Sequence, residues 1–153
     1  TSVEGGYERT GSRSPMQWDD SVNAGFSSAA SDMLYIREDE SEDRPTVKKA
    51  MEDKDSLWHE VHKLIQIRQE HSALQSLADI RFVYAEENRY PLAYVRENAE
   101  EKILVYINPS DKEVSFTCEE GKNGESIYSF GQPAVLKNGT VTVAANSAGF
   151  VRI

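Results

Sequence analysis

The sequence predicts a mainly β protein, an antiparallel β-sandwich preceded by a long irregular zone and one long helix. Three observations carry this. From about Asp79 to Ile153 hydrophobicity alternates with a period of two and breaks at regularly spaced turn residues. Asp55 to His71 repeats instead with the period of a helix. Thr1 to about Glu52 holds neither period, and an aperiodic stretch of that length is uncommon in a compact domain unless it lines a site, is disordered or belongs to a larger body.

Taken in order, the irregular zone contains "GSRSPMQWDDSVNAGFS" (Gly11 to Ser27), the acidic run "REDESED" (Arg37 to Asp43) and a short helix predicted after Pro45. In the long helix Asp55 is placed to cap the free first-turn amides. Leu57, Trp58, Val61, Leu64 and Ile65 form one stripe, and Ile67 widens the apolar sector to about half the circumference. That breadth predicts a helix covered from two sides, with His59, Lys63, Gln66 and Glu70 facing water. Strands follow at "IRFVYA", "PLAYVRE", "ILVYINP", "EVSFTCE", "SIYSF", "TVTVAA" and "GFVRI". Ile103 to Ile107 is apolar at every position and reads as a central strand. Val114, Phe116 and Cys118 alternate with Ser115, Thr117 and Glu119, which gives that strand one wet face. Asn138-Gly139 between two apolar runs predicts a two-residue hairpin turn, because both positions need positive φ.

Composition excludes several classes. A chain of 153 residues with 39% hydrophobic content can bury a core. No apolar run is long enough to cross a bilayer, and the polar start "TSVEGGYERT" lacks the layout of a signal peptide. A formal charge of -9 opposes binding to a phosphate backbone, so nucleic acid is not an expected partner. The single cysteine, Cys118, cannot close an internal disulfide, which favours a reducing, cytoplasmic setting.

Candidate chemistry is sparse outside the first loop. "HEVH" at His59 to His62 departs from the zinc-protease spacing H-E-x-x-H by one residue and has no evident third ligand, so no metal site is expected. The acidic run lacks the spacing of a calcium loop and reads as a solvated face. His71 is assigned a capping or dipole role at the helix end. Cys118 faces inward and reads as a structural thiol. Asn138-Gly139-Thr140 matches a glycosylation sequon that the hairpin already explains.

The stretch "RSPMQWDDSVNAGFS" resembles the R-T-P-M-Q-W-D...N-A-G-F segment of the alpha-amylase family of glycoside hydrolases (family 13), in its alpha-glucosidase, oligo-1,6-glucosidase and trehalose-synthase branch. "DRPTVKKAMEDKDSLWHEVHKLIQIRQEHSAL" is similar to that branch's run into its last barrel helix, and "DIRFVYAE", "YPLAYVRE" and "ILVYINPS" to the first strands of its C-terminal domain. Two departures stand out: Ser14 where the family has threonine, and Ser72 where it commonly has proline. The resemblance implies a C-terminal remnant of a (β/α)8 catalytic barrel over 1–75 and a Greek-key β-sandwich over 76–153. It also implies that the catalytic carboxylates lie upstream of this chain.

Independently of the resemblance, retaining hydrolysis of a glycoside needs two opposed carboxyl groups, and no motif here supplies them. Asp19 and Asp20 are adjacent, so their side chains diverge. The isolated chain is therefore expected to be inactive, with no cofactor and a structural β-domain. By the resemblance, Arg13 contacts the terminal glucose of an α-linked oligosaccharide held by the missing barrel; its planar fork suits bidentate polar contacts. Trp18 is the second candidate for substrate contact, and Phe26 with it an apolar wall. The alternative function is a stand-alone β-sandwich carbohydrate-binding module without catalysis. Against it, the barrel-type loop has no purpose in a free module, and Trp18 and Trp58 both lie outside the strands. The half-apolar helix also predicts that the fragment self-associates through the helix and the Gly11 to Ser27 loop, or folds its N-terminal zone across the helix.

Overall fold

The structure, a computed structural model, describes residues 13–153 and the backbone of Val3–Glu4 and Tyr7–Glu8. The remainder of the polar start and the first two residues of the motif-rich loop, Gly11 and Ser12, lie outside the described residues. The chain divides into two compact units, Thr1–Leu64 and Ile65–Ile153.

In the first unit, strands β1 (Val3–Glu4) and β2 (Tyr7–Glu8) pair antiparallel. Single turns of 3-10 helix follow at Val22–Gly25 and Ser31–Met33, then helix α1 (Val47–Glu52) as the position of Pro45 predicts. Thr46 caps α1, its hydroxyl accepting from the Lys49 amide at 3.2 Å. Helix α2 (Leu57–Glu70) starts one residue later than a cap at Asp55 requires. Asp55 is not its cap: the Asp55 amide is drawn onto the Asp53 carboxylate at 3.0 Å, and it is the Ser56 carbonyl that accepts from His59 and Glu60. The Ser56 hydroxyl instead ties back to the Ala50 carbonyl at 2.5 Å.

The apolar sector of α2 is covered on one side only. Ile67 is buried and Leu64 partly so, whereas Leu57, Trp58, Val61 and Ile65 remain exposed. Two-sided burial is thus absent among the described residues. His59, expected in water, is half-buried with Nε2 3.0 Å from the Met51 carbonyl, while Lys63, Gln66 and Glu70 are exposed.

The second unit is the predicted antiparallel sandwich. Strands β3 (Asp79–Tyr84), β4 (Leu92–Glu97), β5 (Lys102–Asn108), β7 (Glu125–Phe130) and β10 (Ser147–Arg152) form one sheet in the order β3-β4-β5-β10-β7. Strands β6 (Val114–Thr117), β8 (Val135–Lys137) and β9 (Thr140–Val143) form the other, in the order β6-β9-β8. The chain crosses between sheets after β5, β6, β7 and β9, and β10 returns beside β5. Asn138 and Gly139 take φ of 51° and 78° at the β8–β9 turn, as the hairpin requires.

Alternation decides the packing. Ala93, Val95, Leu104, Tyr106 and Val151 of the five-stranded sheet meet Phe116, Cys118, Val141 and Val143 across the interior. Each large aliphatic or aromatic side chain buried there contributes about 1.5–3 kcal/mol. On the opposite face of β5, Ile103 and Val105 pack with Ala73, a residue of the turn after α2, and Leu74, Tyr94, Ile127 and Phe150 join them. Both sides of the central strand are therefore filled.

Polar bolts fix the loops to this frame. Asn108 is buried, and its amide donates to the carbonyls of Lys112 and Ala144 at 2.8 Å each while its oxygen accepts from the Ser110 hydroxyl at 2.7 Å. The segment after α2 is clipped by the β4–β5 hairpin: Arg96 donates to the carbonyls of Ala73, Gln75 and Ala78, and Asn98 to the Ser72 hydroxyl. Glu101 lies 2.6 Å from His71 Nδ1 and accepts from the Ala73 amide at 3.3 Å, with Arg152 at 3.4 Å. Burial opposes ionisation of Glu101, but the hydrogen bonds from His71 and the Ala73 amide, with the charges of His71 and Arg152, outweigh it and hold its carboxyl below the usual range.

Two outcomes test this account. A Cβ on Gly149 would sit 2.7 Å from Tyr106 Cζ, so Gly149→Ala should destabilise the sandwich by about 1–3 kcal/mol, read from the denaturant midpoint. Because the folded pKa of Glu101 is depressed, its contribution is present above the usual carboxylate pKa and is lost as pH falls through the folded value. Glu101→Gln should therefore cost about 1–3 kcal/mol at neutral pH and progressively less in acid, measured as unfolding free energy against pH.

Candidate functional site

The loop that opens the described chain is built from short-range polar contacts rather than from a ladder. Asp19 accepts from the hydroxyl and the amide of Ser21, and these two bonds hold its carboxyl below the ordinary value, helped by Lys48 and Arg44 against a small opposing effect of burial. Asp20 turns to Lys49, 3.2 Å away. The adjacent carboxylates thus serve different partners, as expected from their spacing, and do not oppose one another as a catalytic pair.

Residues Asn23, Ala24 and Gly25 are consecutively left-handed, with φ of 51°, 52° and 71°. Asn23 is buried, and its side-chain amide donates to the carbonyls of Ser27 at 2.8 Å and Ala29 at 2.7 Å while its oxygen accepts from the Ser31 hydroxyl at 2.7 Å. The buried Ala24 carbonyl accepts from the amides of Trp18 at 2.8 Å and Asp19 at 3.2 Å. On the other side of the strand-like segment, the carbonyls of Gln17 and Trp18 each accept at 2.9 Å, from the amides of Val47 and Lys48.

Of the residues singled out in the sequence, Arg13 and Trp18 are both exposed, Trp18 at 48%, and Phe26 is exposed at 50%. Asn23 enters the sequence reading only as a position of the N-A-G-F motif; its clasp on Ser27, Ala29 and Ser31 has no periodic pattern that would mark it. The "HEVH" pair is an aromatic cluster: Trp58 meets His59 edge-on at 4.8 Å and stacks on His62 at 5.3 Å. No group of three His, Cys, Asp or Glu among the described residues could hold a metal ion. Cys118 is a buried free thiol. No helix among the described residues is long and apolar enough to cross a membrane.

Cavities within each unit are open and modest. One of about 270 Å³ is lined by Ser31, Asp32, Leu34, Arg37, Glu38 and Glu40. In the second unit, an apolar one of about 290 Å³ lies at Ile107, Pro109, Phe130 and Ala148. A polar one of about 460 Å³ surrounds Glu101.

Comparison with known proteins accounts for both units. Residues 1–76 match the family model described as alpha amylase, catalytic domain, and residues 80–151 the one described as maltogenic amylase, C-terminal domain. A glucan 1,6-alpha-glucosidase of Streptococcus pneumoniae is 33% identical over 72% of this chain and 20% of its own length. An oligo-1,6-glucosidase of Parageobacillus thermoglucosidasius is 35% identical over 68% of this chain and 18% of its own. The crystal structure of the trehalulose synthase MutB from Pseudomonas mesoacidophila MX-45 aligns with a TM-score of 0.73 and 26% identity, over 94% of this chain and 26% of that one. The chain spans about a fifth of the length of the curated relatives it matches. With the R-S-P-M-Q-W-D-D loop at one end and the two-sheet sandwich at the other, it belongs to the alpha-amylase family of glycoside hydrolases.

Proposed function

We propose that the chain works as part of an alpha-glucosidase-like enzyme that hydrolyses or transfers α-glucosidic bonds of oligosaccharides with retention. The observation that carries this is the family match running through both units together with relatives named as oligo-1,6-glucosidase and glucan 1,6-alpha-glucosidase. Arg13 is the substrate contact and Trp18 the second candidate, both exposed on the loop. The chain by itself is inactive: Asp19 and Asp20 are committed to Ser21 and Lys49, and retention needs two carboxyl groups facing each other across the scissile bond. Its setting is cytoplasmic, which the single reduced and buried cysteine supports.

The division of labour runs between 1–75, a remnant of the catalytic barrel, and 76–153, a β-domain that docks on that barrel. The register supports a docking role. Phe82, Tyr94, Val105, Phe150 and Tyr128 align as one row across all five strands of the larger sheet, and Leu92, Ile107, Ala148 and Phe130 as the next. Phe82 and Phe130 remain more than half exposed. The exposed positions of these rows, Phe82, Leu92, Ile107 and Phe130, carry no charge and suit a protein surface better than a sugar, whose hydroxyls need polar partners. A stand-alone carbohydrate-binding module is disfavoured on the same ground.

Three measurements bear on this reading. The 153-residue chain should release no glucose from isomaltose, maltose or an aryl α-glucoside, and turnover above a blank with contaminating enzyme excluded would overturn its assignment as a non-catalytic part. In an intact enzyme carrying this segment, Arg13→Ala should lower kcat/KM by several-fold to orders of magnitude with the fold intact, since each hydrogen bond to a charged group is worth about 1.5–3 kcal/mol; unchanged kinetics would make Arg13 scaffolding. Alone, the chain should self-associate through Leu57, Trp58, Val61 and Ile65 of α2, detected by light scattering, and Val61→Glu should return it to monomer.

A further inference from the structure

The least expected feature of the first unit is a run of three left-handed residues, two of them not glycine. Such backbone is costly for residues with a Cβ and persists only where the surroundings impose it. Here Asn23 imposes it. Its carboxamide spends both N–H groups and its oxygen on Ser27, Ala29 and Ser31, binding the two ends of the following loop together. Gly25 adds a second restraint, because a Cβ there would press on the Asp19 carboxylate.

The consequence of the turn is read at Trp18. The left-handed turn aims the Ala24 carbonyl at the Trp18 amide, and Lys48 donates to the Trp18 carbonyl from the other side. The peptide of Trp18 is therefore pinned at both its donor and its acceptor, yet about half of the residue faces solvent. A large aromatic whose backbone is fixed and whose side chain is left uncovered has the character of a preset binding element, since little backbone freedom remains to be lost on contact.

We propose that Asn23 is a positioning residue, whose three-bond clasp holds the Asn23–Gly25 turn so that Trp18 is presented preset against a pyranose ring. The positioning part stands on geometry alone; the pyranose part rests on the reading of this loop as carbohydrate-facing given above. Asn23 touches no sugar in this scheme and acts through the Ala24 carbonyl. The apolar face of an indole suits the C–H face of a sugar, while the polar edges of the ring are left for other groups.

The test uses the whole chain with Trp58→Phe, which leaves Trp18 as the sole tryptophan. Acrylamide quenching of Trp18 reports loop order, and exchange of the Val141 and Val143 amides reports the sandwich. Asn23→Ala should raise the quenching constant several-fold with sandwich exchange unchanged, and adding Ala24→Gly should restore most of the original value by relieving the left-handed cost at that position. Ser31→Ala, which removes one of the three bonds, should give a smaller change and serves if Asn23→Ala fails to fold. Quenching unchanged in both single variants, or rising only together with loss of sandwich protection, would overturn the positioning role. The pyranose assignment is tested in an intact enzyme carrying this segment: Trp18→Ala and Asn23→Ala should each raise KM for isomaltose several-fold with kcat less affected. Unchanged kinetics in both, with Trp18 loosened by Asn23→Ala in the quenching assay, would refute the carbohydrate-facing reading while leaving the clasp intact.

Discussion

A β-strand that is apolar on both faces must be covered twice, and that constraint on β5 organises the second unit. Leu104 and Tyr106 point to one side and Ile103 and Val105 to the other, and all four are buried. The three-stranded sheet covers the first side. The second is covered where Ala73 and Leu74, in the turn that follows α2, lie against Ile103 and Val105. Neither cover alone would suffice, because leaving either pair in water would forgo several kcal/mol of burial, a large fraction of a domain's net stability.

The second cover needs more than apolar contact, because a short turn buries little area and carries unpaired backbone groups. The β4–β5 hairpin supplies what is missing. Arg96 satisfies carbonyls at 73, 75 and 78, and Glu101 takes the Ala73 amide and the His71 ring. These side chains stand at the end of the sheet where the row Ile80, Arg96, Ile103, Arg152, Glu125 crosses it. The outer face is therefore graded, from a polar end that grips its own chain to an apolar end formed by the Phe82 and Leu92 rows. The same sheet face both completes its fold and leaves a surface to offer.

What was legible in the sequence follows from how far each interaction reaches. All seven runs named as strands are strands, because alternation is written in neighbouring residues, and the Asn138-Gly139 turn declares itself through its need for positive φ. The start of α2 differs from the expected one because the helical bonds begin at the Ser56 carbonyl, while the Asp55 amide closes a local turn on the Asp53 carboxylate, a detail that hydrophobic periodicity does not contain. The helix stripe was read correctly as apolar, but the extent of its covering depends on elements that periodicity does not contain. His71 and Glu101 are 30 residues apart, and nothing in either neighbourhood forecasts their meeting.

The candidate site divides along the same line. Its existence was legible because Arg13, Trp18, Asp19, Gly25 and Phe26 sit in an order that no periodic element needs, and such order in a loop reflects a demand other than packing. Its mechanics were not legible, because Asn23 earns its place through three hydrogen bonds to residues four, six and eight positions on. A buried carboxamide with every polar atom engaged gives a loop the definition that a strand gets from its ladder. That definition is what allows Trp18 to be both fixed in its backbone and open at its side chain, and a loop lacking the clasp would have to give up one to have the other.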